Sequence, residues 1–180
     1  MASSMSSASL SSAISQPALF LVRHARAGGP RAGERDFDRT LDEMGRADAA
    51  RMAATLQKRG WTLGDIVCSS ARRCRQTADI LLGTTPSASI SFEELLYDGA
   101  LDAYLAVVGD INARAGAGAP LTIIGHNPVL EHLAWECLGS ATATRALPAG
   151  FLPGMVIAIA RKPDTAPDEL PGRLVEVLTP

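Results

Sequence analysis

The stretch Leu19-Phe20-Leu21-Val22-Arg23-His24 decides the fold. Four consecutive large apolar residues, one aromatic and one β-branched, predict a strand. The run does not alternate with polar residues, so both of its faces are expected to be covered, as in a parallel sheet packed between helices. It ends abruptly in an arginine and a histidine. Ligands of such sheets bind beyond the carboxyl ends of the strands. Arg23 and His24 therefore fall where an α/β protein keeps its chemistry.

Working outward, Ala25 to Asp38 is rich in Gly, Arg and Pro and predicts a loop over the strand's end, long enough to be functional. Leu41 to Arg59 is Ala-rich, with Leu41, Met44, Met52 and Leu56 at helical spacings and Gly60 as the stop. Ile66-Val67-Cys68 predicts a short strand closed by Ser69 and Ser70, and Ala71 to Leu82 a helix ending at Gly83. Ser89 to Phe92 is a weak strand, and Leu101 to Ala115 is amphipathic and helical before the Gly/Ala/Pro run at 115–120. Leu121 to Ile124 is a buried strand running into Gly125-His126. Asn127 is expected to cap a helix that begins at Pro128 and runs to Leu138. Met155 to Ala160 is a strand, Arg161 to Gly172 a polar, Pro-rich connection, and Leu174 to Leu178 a last strand near an edge. Alternating strands and helices predict the α/β class: a three-layer α/β/α sandwich with a mostly parallel central sheet. The last two strands have no helix between them and are expected to pair antiparallel.

The chain of 180 residues suits one domain, and its 47% hydrophobic content suffices for a core. Residues 1–17, mostly Ser and Ala, read as a poorly ordered tail without the pattern of a secretory signal or transit peptide, and 18–180 as the domain. A formal net charge of −2 gives no basic field for nucleic acid or a membrane surface. No apolar run approaches the roughly 18 residues of a membrane span. Three scattered cysteines, Cys68, Cys74 and Cys137, make no disulfide framework, so a reducing, cytoplasmic setting is expected.

Three predicted strands end in chemistry-capable residues: Arg23-His24, Ser69-Ser70 with Arg72, Arg73 and Arg75 following, and Gly125-His126-Asn127. Parallel strands bring these to one rim, beside two helix N-termini. Arginine forks match phosphoryl oxygens, helix N-termini favour anions, and a neutral imidazole can attack phosphorus. No His-Glu-x-x-His metal motif and no Walker-type loop are present. Cys68 is not followed six residues later by the arginine of a cysteine phosphatase, and its place inside a strand predicts a core residue. His132 matches no motif and is read as structural, and Glu131 as a solvated helix charge.

Leu-Val-Arg-His-Ala at 21–25, Ser-Ser-Ala-Arg-Arg-Cys-Arg-Gln-Thr-Ala at 69–78 and Gly-His-Asn-Pro at 125–128 closely resemble the histidine phosphatase superfamily. Asp36-Phe37-Asp38-Arg39-Thr40-Leu41 with Gly45-Arg46 is similar to the bacterial phosphohistidine phosphatases of the SixA type. The resemblance implies a phosphoglycerate mutase-like fold and a metal-independent enzyme that needs no cofactor. It implies that His24 is the nucleophile that becomes phosphorylated. Arg23, Arg73 and His126 would be the other catalytic residues, holding the phosphoryl group, with Asn127 beside them as a substrate-binding residue. Arg72 and Arg75 do not match the family position and are read as surface or docking charges.

One departure bears on the substrate. Mutase and alkyl-ester branches carry a glutamate acid in a Leu-x-Glu motif, where this chain has Glu94-Leu95-Leu96-Tyr97-Asp98 and aligns Tyr97 with the acid. An alkoxide leaving group needs a proton from a positioned acid; imidazole leaves more readily. The resemblance thus implies a phosphohistidine on a protein, such as a phosphotransfer domain or phosphocarrier. The alternatives are a small-molecule phosphomonoesterase using Asp98 as its acid, and a non-catalytic phosphoprotein-binding module.

Overall fold

The structure, a computed structural model, describes residues 16–83, 87–115, 120–161, 170 and 172–180. The expected tail lies outside these up to residue 15, as do 116–119 of the Gly/Ala run and 162–169 and 171 of the Pro-rich connection.

The strands are β1 (Leu19–Arg23), β2 (Gly64–Ser69), β3 (Ser87–Glu93), β4 (Leu121–Gly125), β5 (Val156–Ala160) and β6 (Arg173–Leu178). The helices are α1 (Glu43–Arg59), α2 (Arg72–Leu82), α3 (Leu95–Asp98), α4 (Leu101–Ala115), α5 (Val129–Leu138) and α6 (Ser140–Ala146), with a 3-10 turn at Asp36–Asp38. One sheet holds all six strands in the order β3-β2-β4-β1-β5-β6. The four strands from β3 to β1 are parallel, and β5 is antiparallel to both β1 and β6.

Alternate residues of β1 feed the two cores, because side chains of a strand point to opposite faces. Leu19 and Leu21 join Tyr104, Leu130, Leu133 and Ala143 of α4, α5 and α6 on one face. Phe20 and Val22 join Met52, Leu56, Ala78 and Leu81 of α1 and α2 on the other. This is the expected three-layer sandwich.

The topology places the site. β1 and β4 are parallel neighbours, but the chain leaves β1 toward α1 on one face and leaves β4 toward α5 on the opposite face. That divergence opens a crevice at the carboxyl ends of the two central strands. Arg23 pairs with Gly125, so His24 and His126 leave their strands at the same level. The antiparallel pairing of β5 with β1 sets Val156 beside Val22 and brings the segment before β5 to the same rim.

Some local expectations give way. The first helix starts at Glu43, because Asp42 caps it by accepting from Gly45 N at 2.7 Å. Leu41 instead bridges to Ala27, and Met44 is 54% exposed; the buried stripe is Gly45, Ala49, Met52, Ala53 and Leu56. Gly45 must be glycine, since a Cβ there would lie 2.0 Å from Arg26 O. Pro128 stands at the N-cap of α5 and Val129 is its first helical residue. His132 lies exposed on α5 rather than in the packing. Helix α6, in a stretch where the sequence patterns indicate no element, has no amphipathic run to announce it; only its Ala143 is buried.

Candidate active site

His24, Arg73 and His126 meet in the crevice. Arg73 Nε donates to His24 Nε2 at 3.1 Å, and Arg73 Nη2 lies 3.3 Å from His126 Nδ1. The two imidazole rings are 5.1 Å apart, edge to face.

The partners of each ring fix what it can do. His24 Nδ1 is 2.8 Å from Ala25 O. A carbonyl only accepts, so the Nδ1 hydrogen is committed there and Nε2 keeps its lone pair. Burial, aided by Arg73, Arg23 and Arg39, holds the His24 pKa down at about 4. The ring is therefore neutral around pH 7. Residue 25 is itself tied down, since Ala25 N donates to Thr77 Oγ1 at 3.1 Å. Gln76 Oε1 accepts from Leu41 N at 2.8 Å. The Gln-Thr pair after Arg73 thus clamps the chain on both sides of the loop that follows β1.

His126 Nε2 lies 2.8 Å from Ser69 Oγ and 3.4 Å from Cys74 Sγ. Ser69 is fully buried, and burial pushes the Cys74 thiol up to about 12, so it stays neutral. The Arg73 guanidinium only donates, so His126 Nδ1 accepts from it here and the Nε2 hydrogen points to the Ser69 hydroxyl; because a hydroxyl can also donate, the proton can stand on Nδ1 once Arg73 turns to another acceptor. Burial, with His24 and Arg73 nearby, lowers the His126 pKa to about 3. Tyr104 Oη donates to Leu96 O at 2.7 Å and accepts from His126 N at 3.4 Å. Gly125 makes room for it: a Cβ there would lie 2.5 Å from Tyr104 Oη.

Arg23 reaches the loop before β5. Its Nη1 donates to Phe151 O at 2.5 Å, while its Nε is buried without a partner. An unsatisfied buried donor costs about 1–3 kcal/mol, so this N–H is suited to an oxyanion. Asn127 does not cap α5 and has no amide hydrogen left for a substrate. Its Nδ2 donates to Glu131 Oε2 (2.9 Å) and to Phe151 O (3.0 Å). Glu131 also accepts from Phe151 N at 3.0 Å. It is therefore a clamp on the Arg23 support and not the solvated charge that its sequence position suggests.

The carboxylate that reaches the site is Asp36. Its Oδ2 accepts from Arg73 Nη2 at 3.0 Å and from Tyr97 Oη at 3.2 Å, its Oδ1 from Arg39 Nη1 at 2.7 Å, and its carbonyl from Arg73 Nη1 at 2.6 Å. These cations hold its pKa down at about 2. Asp98 is exposed and, among the described residues, has no hydrogen bond to Arg23, His24, Arg73 or His126. Arg72 and Arg75 face outward; the Arg75 guanidinium lies 4.0 Å over the Phe92 ring. Among the described residues no three His, Cys, Asp or Glu side chains converge as metal ligands. Asp36 and Glu131 are the groups that residue-by-residue reading misses, and for Ser69, already placed at a strand end, it misses the contact with His126. Asp36 has a signal, its place in the Asp36–Leu41 segment, and Ser69 has its place at the strand end, but Glu131 has none short of the fold.

The Histidine phosphatase superfamily (branch 1) profile matches residues 19–104. An uncharacterised protein of Picosynechococcus sp. is 34% identical over 116 residues, covering 62% of this chain and 67% of its own. The mitochondrial serine/threonine-protein phosphatase PGAM5 of Xenopus tropicalis is 33% identical over 82 residues. That match covers 46% of this chain and only 29% of the Xenopus protein, so the chain spans under a third of that relative's length. Among solved structures, the Agrobacterium tumefaciens protein provisionally named phosphohistidine phosphatase SixA superposes with a TM-score of 0.76 at 28% identity. It covers 92% of this chain and 99% of its own.

Proposed function

We propose, from the premise that this chain belongs to the histidine phosphatase superfamily, that it is a phosphatase working through a phosphohistidine intermediate on His24. The observation that carries the proposal is the His24 ring: its Nδ1–H is spent on Ala25 O, and its Nε2 lone pair faces Arg73. In the first step that lone pair attacks phosphorus in line, and the bond to the leaving group breaks with its electron pair going to that group. Arg73 shifts its hydrogen bonds from His24 Nε2 to the phosphoryl oxygens, and the Arg23 Nε gains an acceptor. His126 donates from Nδ1 while its Nε2 accepts from Ser69. In the second step water attacks phosphorus, the bond to His24 Nε2 breaks, and dihydrogen phosphate leaves. His24 keeps its Nδ1 hydrogen throughout, so it departs as neutral imidazole. No metal ion or cofactor takes part in either step.

The favoured substrate is phosphohistidine on a protein, a phosphotransfer domain or phosphocarrier. The support is chemical: Asp36 is ionised, and Asp98 is exposed with no hydrogen bond to Arg23, His24, Arg73 or His126 among the described residues, so neither is held as an acid for an alkoxide. The SixA name borne by the Agrobacterium structure agrees. Among the described residues no helix is long and apolar enough to cross a membrane. The three cysteines are free, buried thiols, which supports a reducing, cytoplasmic setting.

The test compares hydrolysis of a phosphohistidine protein and p-nitrophenyl phosphate, both in EDTA, by wild type and His24→Ala. The proposal expects a preference for phosphohistidine that the mutant loses. Better ester hydrolysis would move the protein to the small-molecule phosphatases. Folded wild type that binds phosphoprotein without turnover would make it a binding module.

A further inference from the structure

Asp36 sits across the Arg73 guanidinium from His24. The Nε edge of Arg73 faces His24 Nε2 at 3.1 Å, and its Nη end faces Asp36. An in-line leaving group departs opposite the attacking nitrogen, and Asp36 lies on the far side of Arg73 from that nitrogen. The wall there is aromatic. The Tyr97 ring stands edge-on to His126 at 5.6 Å and to Phe37 at 4.9 Å. The Asp36 side chain remains 51% exposed in this mouth. A carboxylate offers about four lone-pair positions, and Arg39, Arg73 and Tyr97 fill three of them.

We infer that Asp36, with Tyr97 and Phe37 as walls, forms a leaving-group subsite for the substrate's imidazolium ring, its carboxylate accepting the N–H on the ring nitrogen that does not carry phosphorus. This rests on the phosphohistidine reading above. The chemistry is that of His24 seen from the other side. His24 holds its own distal N–H on Ala25 O, so that phospho-His24 is an imidazolium and leaves as neutral imidazole. The substrate ring needs the same: with its distal nitrogen protonated, the P–N electron pair returns to a ring that departs neutral. Asp36 is the acceptor that favours this cationic form. The same carboxylate repels the negative charge that grows on a phenolate or alkoxide, and, held ionised by its arginines, it has no proton to give them.

The test measures kcat/KM for a phosphohistidine peptide and for p-nitrophenyl phosphate in wild type, Asp36→Asn and Asp36→Ala. Asp36 is half exposed, so both variants are expected to fold, and circular dichroism checks this. The ratio of phosphohistidine to ester activity is expected to fall at least about tenfold in both, the worth of a charge-assisted hydrogen bond. If the two activities fall in proportion, or neither falls, Asp36 only steadies Arg73 and the subsite is overturned while the phosphatase reading stands. Wild type that cleaves the ester but not phosphohistidine would overturn the substrate reading and the subsite with it. Wild type inactive on both would overturn the enzyme assignment itself.

Discussion

The turn after β1 delivers the half-buried His24 and the turn after β4 the buried His126 to the crevice, and the two rings stand 5.1 Å apart with pKa values pushed down to about 4 and about 3. Burial and neighbouring cations act on both alike, so these do not assign roles. The partner of the second nitrogen is what separates them. His24 leans on a backbone carbonyl, which allows one tautomer and leaves a lone pair at Nε2. His126 leans on the Ser69 hydroxyl, which can donate or accept and so lets the proton pass to Nδ1 when Arg73 releases that nitrogen. The first suits a nucleophile, the second a hydrogen-bond donor that must present a proton when the phosphoryl group arrives. The difference teaches that two similar imidazoles are told apart by the atoms behind them.

The largest expected effect tests that division directly. His24→Ala is expected to lower turnover by about 10⁴-fold or more and to abolish the acid-labile phosphoenzyme seen with radiolabelled substrate. His126→Ala is expected to cost about 10²–10³-fold, with phosphoenzyme still formed. The reverse pattern would exchange the two roles.

Ser69→Ala sharpens the comparison. It removes the hydroxyl behind His126 and nothing behind His24, so kcat is expected to fall about tenfold, the worth of one net hydrogen bond. Imidazole ¹⁵N chemical shifts separate this from general damage. The His24 signals are expected to stay those of the Nδ1–H tautomer, and those of His126 to move. Movement of both would show that the two turns are one coupled unit.

The smallest effects concern pH. Both histidines are neutral in the folded state, with pKa values below the ordinary 6.5. Between pH 6.5 and about 4 the unfolded chain binds more protons than the folded one, so these rings make the protein less stable as pH falls through that window. Together they contribute a loss on the order of a few kcal/mol. Urea midpoints are expected to be steady above pH 7 and to decline below 6.5, less steeply in His126→Gln. Activity is expected to vary little from pH 5 to 8 where the fold persists, and to fall as His24 protonates near pH 4.

Much of this was legible in the chain because it is local. The apolar run at Leu19–Val22, the alternation of strands and helices, and the polar residues at three strand ends follow from periodicity, and a strand's exit point lies next to it in sequence. The family resemblance rests on the same short motifs. Leu41 and Met44 misled because helical spacing says which residues share a stripe but not where a capping Asp42 starts the helix or which way the stripe faces.

Contacts between distant segments were not legible. Ser69 behind His126, Asp36 against Arg73, and Glu131 holding Phe151 for Arg23 join residues 57, 37 and 20 positions apart. A buried polar group takes whatever partner the packing brings within about 3 Å, and no spacing rule encodes that. The sequence alone determined an α/β sandwich with Arg23, His24, His126 and an arginine cluster at 72–75 at one rim, since hydrophobic period and strand ends are properties of neighbouring residues; the family resemblance singled out Arg73. Only the folded arrangement set which nitrogen of His24 keeps its lone pair and which carboxylate lies against Arg73. A hydrogen bond is a matter of distance and direction in space, and those exist only once the chain has folded.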